Sequence, residues 1–164
     1  MTVRIRIQQQ DFDLAEEYQL LRQTDSVVGA VVTFAGLVRD FEVSAEGHDS
    51  LANSIDSLSL QHYPGMTESL LEKIVEQANQ RWNLIATTVI HRVGDLVPKD
   101  QIVLVGVASQ HRADAFEAAQ FLIDYLKTQA TFWKSVKRNG EQQWIESKTS
   151  DQQAAARWDG SDDK

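Results

Sequence analysis

The 164-residue chain contains no cysteine. Disulfides, thiolate nucleophiles and cysteine-based zinc or iron–sulfur sites are therefore excluded. No apolar run approaches the 18 residues that a membrane-spanning helix needs, and the first residues, MTVRIRIQQQDFD, lack the apolar core of a signal peptide. These absences predict a cytoplasmic protein without a membrane segment.

The chain also has fewer basic than acidic residues, 16 Lys and Arg against 24 Asp and Glu, which gives a formal net charge of −8. General binding to nucleic acid or to anionic membranes needs a basic face, so the overall charge argues against both kinds of partner. It does not argue against a small anionic substrate in a local basic pocket. The length and the hydrophobic content of 42% are typical of one domain, which is expected to cover residues 1–158.

Apolar periodicity predicts six strands and four helices in the order β α β β α β β α β α. Because regular βαβ alternation is absent, this order favours an α+β fold, a mixed or antiparallel sheet with packed helices. Strand 27–38 is apolar nearly throughout and is expected to be central and buried on both faces. Residues 40–57 are expected to form a long loop and 159–164 a disordered tail. The predicted strands are 3–7, 27–38, 58–62, 87–92, 101–108 and 143–147, and the helices are 13–22, from Pro64-Gly65 to about 82, 113–129 and 151–158.

The segment SQHRADAFEAAQFLIDYLKTQATFWK, residues 109–134, carries cations at both ends of a predicted amphipathic helix. Lys127 is expected within about 20–40° of its apolar stripe, pressed against the core or a neighbouring subunit. Desolvation there would lower the pKa of the lysine and suit it to proton transfer or to attack on a carbonyl-type carbon. If the helix continued, Lys134 would lie two turns farther on at a similar azimuth. The predicted stripe is Ala115, Phe116, Ala119, Leu122, Ile123 and Leu126.

Two interpretations of these cations stay open. Lysines at a helix C-terminus complement the helix dipole, which needs no ligand. Alternatively, the two ends of the helix enclose an anion, since His111 and Arg112 lie where a strand gives way to the helix and free N–H groups there bind anions. Arg39 follows the 27–38 strand, where sites often lie. His62 and His91 fall inside strands and are expected to be hydrogen-bonded structural residues, and no histidine pattern predicts a metal site.

Five segments in the same order and with similar spacing resemble the large, catalytic subunit of molybdopterin synthase. They are AVVTFAGLVRD (30–40), LQHYPGMTE (60–68), VIHRVGDL (89–96), the 109–134 segment and SDQQAAARW (150–158). The resemblance implies an alpha/beta-hammerhead-like fold and a central homodimer. It also implies a small ubiquitin-like sulfur carrier at each end, giving a 2:2 heterotetramer.

The same resemblance implies the reaction. The carrier's C-terminal Gly-Gly thiocarboxylate enters the large subunit, and two sulfurs are placed on cyclic pyranopterin monophosphate to give the dithiolene of molybdopterin. No metal or cofactor is implied for this step, because the carrier brings the sulfur. The resemblance places the catalytic lysines at Lys127 and Lys134. Substrate-binding positions fall on Leu37, Val38, Arg39, His111, Arg112, Ser135 and Lys148.

Three positions depart from the family pattern. Leu37 stands where related sequences can carry a lysine, and Ser135-Val136 stand where they can carry a charged pair. Lys148 takes a place where an arginine from the partner subunit can reach the pocket. The 40–57 loop is also longer than usual for the family.

Two other function classes stay open on the sequence. One is a non-catalytic scaffold that binds a small ubiquitin-like partner through its Trp- and Lys-rich C-terminal third. The other is a Schiff-base enzyme that uses Lys127 on a carbonyl substrate. If a carrier binds, its affinity is expected to come from segment 140–158, including Trp144 and Trp158.

Overall fold

The computed structural model describes residues 1–40, 54–145 and 149–158. Most of the predicted 40–57 loop and the whole predicted 159–164 tail lie outside the described residues. The described residues form eight strands and four helices. They are β1 (Thr2–Gln8), α1 (Leu14–Arg22), β2 (Ala30–Leu37), β3 (Ser57–His62), α2 (Met66–Arg81), β4 (Leu84–Arg92), β5 (Gly94–Leu96), β6 (Gln101–Ser109), α3 (Arg112–Thr128), β7 (Phe132–Arg138), β8 (Glu141–Ile145) and α4 (Thr149–Ala156).

The strands form two four-stranded sheets. The first has the order β1-β4-β6-β2 and is mixed, because β1 runs parallel to β4 while the other pairs are antiparallel. The second has the order β5-β3-β7-β8 and is antiparallel throughout. This arrangement confirms the predicted α+β class.

Helices cover both faces of the first sheet. On one face, α2 and α3 pack around Val89, Val105 and Phe121 to form the main core. On the other face, Leu21 of α1 packs against Ala86 and its neighbours. The central strands β4 and β6 are buried over most of their length because each of their two faces meets a helix.

Strand β2 contradicts the prediction of a doubly buried central strand. Among the described strands, it lies at the edge of the first sheet and pairs only with β6. Its side chains are half-buried or exposed, with Phe34 36% and Leu37 53% exposed. A continuous apolar run is compatible with an edge strand as well as a central one, and the strand order decides between them.

Strands β5 and β7 were not predicted. Strand β7 occupies the basic segment after α3 and lies inside the second sheet, between β3 and β8. The two residues Asn139 and Gly140 connect β7 to β8, and both have positive φ, 49° and 83°. An Asn-Gly pair favours this kind of tight hairpin, so the sequence did contain a signal for β7 and β8.

The closing helix α4 is fastened to α3 by one buried carboxylate. Asp124 is 5% exposed and accepts hydrogen bonds from Arg157 Nη2, from Trp158 Nε1 at 2.8 Å and from Gln120 Nε2 at 3.2 Å. The Trp158 ring also packs edge-on against Phe121. Trp158 is therefore an anchor for the C-terminal helix.

Candidate active site

The His111-Arg112 pair lies at the beginning of α3. Arg112 is the first helical residue, and His111 is the N-cap with extended backbone angles of −120° and 140°. The His111 backbone N–H donates to Ser109 Oγ at 3.3 Å, and Ser109 Oγ donates to the Asn83 carbonyl oxygen at 2.9 Å. These bonds hold the helix start on the buried end of β6, while both side chains of the pair are exposed. An exposed arginine beside free N–H groups can bind an anionic group.

Lys127 lies in the last turn of α3 and is exposed. The prediction that it is pressed against the core of its own chain is wrong. The buried face of α3 is centred on Ala118, Leu122 and Tyr125, and Lys127 follows Leu122 by five residues, about 140° around the helix. Phe116, which the predicted stripe included, is likewise 63% exposed. The true stripe is rotated away from the predicted one.

Lys134 lies on β7, so the predicted helical azimuth does not apply to it. Helix α3 ends at Thr128, and the chain turns before β7 begins at Phe132. In the second sheet Lys134 is opposite Leu60 of β3, and its side chain is exposed. Because the connection is only a few residues long, Lys127 and Lys134 lie at the same end of the molecule.

A buried histidine lies behind Lys134. The rings of His91 and Phe132 stack with their centroids 3.8 Å apart and their planes at 14°. His62 lies on the other strand beside Phe132, with its ring centroid 6.5 Å away. His91 was expected to be a hydrogen-bonded structural residue, and its Nδ1 does lie 2.8 Å from the Arg92 carbonyl oxygen. Phe132 was not among the predicted site residues, although it directly precedes the Trp133-Lys134 pair.

The environment of His91 keeps its ring neutral. The pKa of His91 is lowered from its usual 6.5 to about 4, first by burial and also by the charges of Lys134 and His62, while the hydrogen bond to the Arg92 carbonyl acts in the opposite direction. Lys134 follows Phe132, the residue that stacks on this ring, by two positions on β7. His91 therefore carries no charge next to the lysine near neutral pH.

An acidic group lies on the outer side of this cluster. Glu68 Oε1 is 3.5 Å from His62 Nε2, and Glu68 Oε2 accepts a hydrogen bond from the Gly65 backbone N–H at 2.6 Å. Backbone N–H groups at the beginning of α2, first that of Glu68 itself, lower the pKa of this carboxyl, and His62 adds to the effect. Glu68 is thus a fixed negative charge beside His62.

Arg39 is held beside a turn. The backbone of Val38 pairs with this turn, donating to the Asp100 carbonyl oxygen at 2.9 Å and accepting from the Lys99 N–H at 2.8 Å. The Val38 side chain is 4% exposed in a second core cluster, whereas Leu37 and Arg39 are exposed. Of these three predicted site residues, Leu37 and Arg39 can present their side chains to a ligand in this chain.

The remaining two predicted substrate-binding residues are Ser135 and Lys148. Ser135 is 1% exposed, and its Oγ accepts a hydrogen bond from Gln142 Nε2 at 2.7 Å. Its side chain is therefore enclosed by the second sheet. Lys148 lies outside the described residues, so its predicted role stays a prediction.

The predicted site residues lie at opposite ends of the first sheet. At one end, β6 begins at Gln101 beside the end of β2, which Arg39 closely follows. At the other end, β6 finishes at Ser109, and His111 and Arg112 follow. A strand of this length separates the two ends by about 27 Å.

The length of α3 also separates the cationic residues at its beginning and its end. Arg112 and Lys127 are about 22 Å apart along the helix axis. Lys134 belongs to the Lys127 end, because Phe132 stacks on His91 near the end of β4. The separation exceeds what an arginine and a lysine side chain reach together. Arg112 and Lys127 of the same chain therefore cannot both contact one small anion.

Across the described ranges, no group of three or more histidine, aspartate or glutamate side chains is placed to hold a metal ion. No helix in the described part of the chain is long and apolar enough to cross a bilayer.

Comparison with known proteins assigns the chain to a family. Residues 7–129 match the family described as MoaE protein. The chain is 51% identical over 149 residues to the molybdopterin synthase catalytic subunit of Escherichia coli K12, covering 91% of this chain and 93% of that protein. It is 48% identical over 159 residues to the subunit of the same name from Vibrio cholerae, covering 97% and 100%.

Among solved structures, the molybdopterin biosynthesis MoaE protein from Burkholderia ambifaria superposes with a TM-score of 0.79 at 42% identity. The match covers 97% of this chain and 99% of that one. Sequence and fold agree over nearly the whole length with these relatives, of which the Escherichia coli and Vibrio cholerae proteins are named molybdopterin synthase catalytic subunits, and the chain belongs to the MoaE family.

Proposed function

We propose that this chain is the catalytic subunit of molybdopterin synthase. It transfers sulfur from the C-terminal thiocarboxylate of a small ubiquitin-like carrier to cyclic pyranopterin monophosphate, forming the dithiolene. The observation that carries this proposal is the near 50% identity, over almost the full chain, to relatives named for that activity. The site of action is the cytoplasm, and residues 1–158 act as one domain.

Lys127 carries the central proton transfer or carbonyl contact as the carrier's thiocarboxylate attacks the pterin side chain. Its exposure at the end of α3 supports this role, because the carrier's tail and the substrate can reach it without unfolding the core. Lys134, on the second sheet, and Arg39, after β2, both lie near the end of the first sheet where β4 ends and β6 begins, and they stabilise phosphate and developing negative charge. Leu37, exposed beside Arg39, contacts the substrate there.

His111 and Arg112 join this site from a second copy of the chain. The 22 Å length of α3 keeps them from Lys127 in their own chain, whereas a homodimer can bring the start of one α3 to the end of the other. Among the described residues no strand pairs with the outer edge of β2, where Phe34 and Leu37 are exposed, and this supports an assembly larger than one chain. In that dimer, Arg112 binds the substrate phosphate and His111 orients the substrate or moves a proton.

The carrier docks on the outer face of the second sheet. Trp144 is opposite the enclosed Ser135, and Trp133 precedes Ser135 by two residues, so both tryptophans lie on one face. They are 62% and 55% exposed. Trp158 was predicted from the sequence to be a docking residue, but its indole N–H donates a hydrogen bond to the buried Asp124 carboxylate. The lysines at the end of α3 attract the anionic tail of the carrier.

The test is a reconstituted assay with thiocarboxylated carrier and cyclic pyranopterin monophosphate. The wild-type chain forms dithiolene, and Lys127→Ala abolishes it while leaving the fold and carrier binding nearly intact, because an exposed lysine is removed without opening a cavity and the carrier docks mainly on the second sheet. Lys73→Ala, an exposed lysine on α2, is the matched control and keeps full activity. Near-normal turnover by Lys127→Ala contradicts the assigned role.

The same assay separates the alternatives. A scaffold binds carrier but forms no dithiolene at all, even with the wild-type chain. A Schiff-base enzyme is trapped by borohydride on a carbonyl substrate without any carrier. Either result overturns the proposed function.

A further inference from the structure

His91 connects the two sheets. It lies near the end of β4 in the first sheet and is 7% exposed. Phe132 begins β7 in the second sheet, and the two rings stack face to face at 3.8 Å. Ring stacking of this kind favours one relative position of the two side chains, so the contact ties the start of β7 to the first sheet.

The hydrogen bond of His91 fixes its ring. Nδ1 lies 2.8 Å from the Arg92 carbonyl oxygen, which can only accept. Nδ1 therefore carries the proton and Nε2 carries the lone pair. With both the stack and this bond satisfied, the ring has one orientation, and it presents a neutral surface to Phe132.

Phe132 and Lys134 share one face of β7. They are two residues apart on the strand, and opposite them on β3 are His62 and Leu60. A displacement of the β7 backbone at Phe132 would therefore also displace Lys134. The charged groups near His91 are Lys134 on β7 and His62 on β3, with Glu68 of α2 on the far side of His62.

We propose that His91 is a positioning residue for the sulfur-transfer reaction, because its ring stacks on Phe132 and thereby fixes the place of Lys134. This inference rests on the proposed function, in which Lys134 stabilises phosphate and developing charge. His91 does not touch the reacting atoms. It acts through Phe132 and the backbone of β7.

The test is a double-mutant cycle between His91→Ala and Lys134→Ala, read in the single-turnover rate of dithiolene formation and in the Kd for cyclic pyranopterin monophosphate. A displaced lysine slows the reaction by roughly 10- to 100-fold. His91→Ala is therefore expected to lose that much, divided between rate and Kd in the same proportion as in Lys134→Ala. In the Lys134→Ala background it adds less than about twofold, because the residue it positions is gone.

Two further variants separate positioning from loss of folding. Phe132→Tyr keeps the stack and retains more activity than Phe132→Leu, which removes it. Ile90→Val is the matched control, since Ile90 is the neighbour of His91 on β4 but packs on the other face against Phe12 and Leu104. It is expected to leave the rate and the Kd unchanged.

The outcomes distinguish this inference from the proposed function. Effects of His91→Ala and Lys134→Ala that multiply independently refute the positioning role while leaving Lys134 in place. Unchanged rate and Kd in Lys134→Ala refute the role of Lys134 itself. If His91→Ala does not fold, His91→Asn, which keeps a donor for the Arg92 carbonyl, enters the same cycle with the same expected result.

Discussion

Acid is predicted to destabilise the protein through one buried side chain, and His91→Phe should remove that sensitivity. An unfolded histidine takes up a proton near pH 6.5, whereas burial lowers the pKa of folded His91 to about 4. Between these two values the unfolded chain binds one more proton than the folded chain. The free energy of unfolding therefore falls as the pH falls through this window.

The difference between the two pKa values sets the magnitude. A lowering of the pKa from 6.5 to about 4 corresponds to a loss of roughly 3.4 kcal/mol in the free energy of unfolding once the pH is below both values. At pH 5, where folded His91 is still neutral, about 2 kcal/mol has been lost, and at pH 7 almost none. Phenylalanine cannot be protonated but can still stack on Phe132. His91→Phe should therefore not show this decrease in the free energy of unfolding at low pH.

The measurement is urea unfolding at pH 7 and pH 5 at a fixed protein concentration, because assembly also affects stability. Wild type should lose about 2 kcal/mol more than His91→Phe between the two pH values, which is about 1 M in urea midpoint for a typical slope. Ile90→Val, the core substitution on the same strand, should show the wild-type pH dependence. Equal losses in wild type and His91→Phe would refute the buried, neutral state of His91.

Three other changes test the assembly, the substrate site and the C-terminal helix. At a precursor concentration too low for the weakly binding Arg112→Ala chain to turn over, mixing it with inactive Lys127→Ala chains should restore up to about a quarter of wild-type turnover if sites are shared between copies, and no recovery would place the whole site in one chain. Arg112→Ala should weaken precursor binding by roughly 10- to 150-fold in calorimetric titration, the size of a bidentate contact to phosphate, and an unchanged Kd would move the phosphate site elsewhere. Asp124→Ala should lower the free energy of unfolding by about 2–3 kcal/mol, because Trp158 and Arg157 lose a buried acceptor, and an unchanged urea midpoint would show that α4 does not depend on this carboxylate.

The sequence predicted the secondary structure where local patterns are strong. Alternating residues in β1, the Asp13 cap of α1 and the apolar spacing of α2 and α3 are local signals, and each element formed where it was predicted. The Asp13 side chain indeed accepts hydrogen bonds from the N–H groups of Ala15 and Glu16. The family, and with it the proposed reaction, was also accessible from sequence, because the five resembling segments keep their order and spacing.

Strand β7 shows where local patterns failed. Phe132–Arg138 has no strict apolar alternation, and its strand conformation depends on pairing with β3 on one side and β8 on the other. The paired residues of β3 precede those of β7 by about 70 to 80 residues, so no local window contains this partner. The stack of Phe132 on His91 has the same origin.

Local patterns in the sequence identify the residues that can bind an anion and most of the helices and strands, because charge and periodicity are local properties. Only the packing of these elements places β2 at the edge of a sheet, exposes Lys127 and puts Lys134 on a strand close to a buried histidine. It also decided that His111-Arg112 and Lys127 are a helix length apart. Burial and distance depend on which elements pack together, and that packing is settled by the free energy of the whole chain rather than by any one segment.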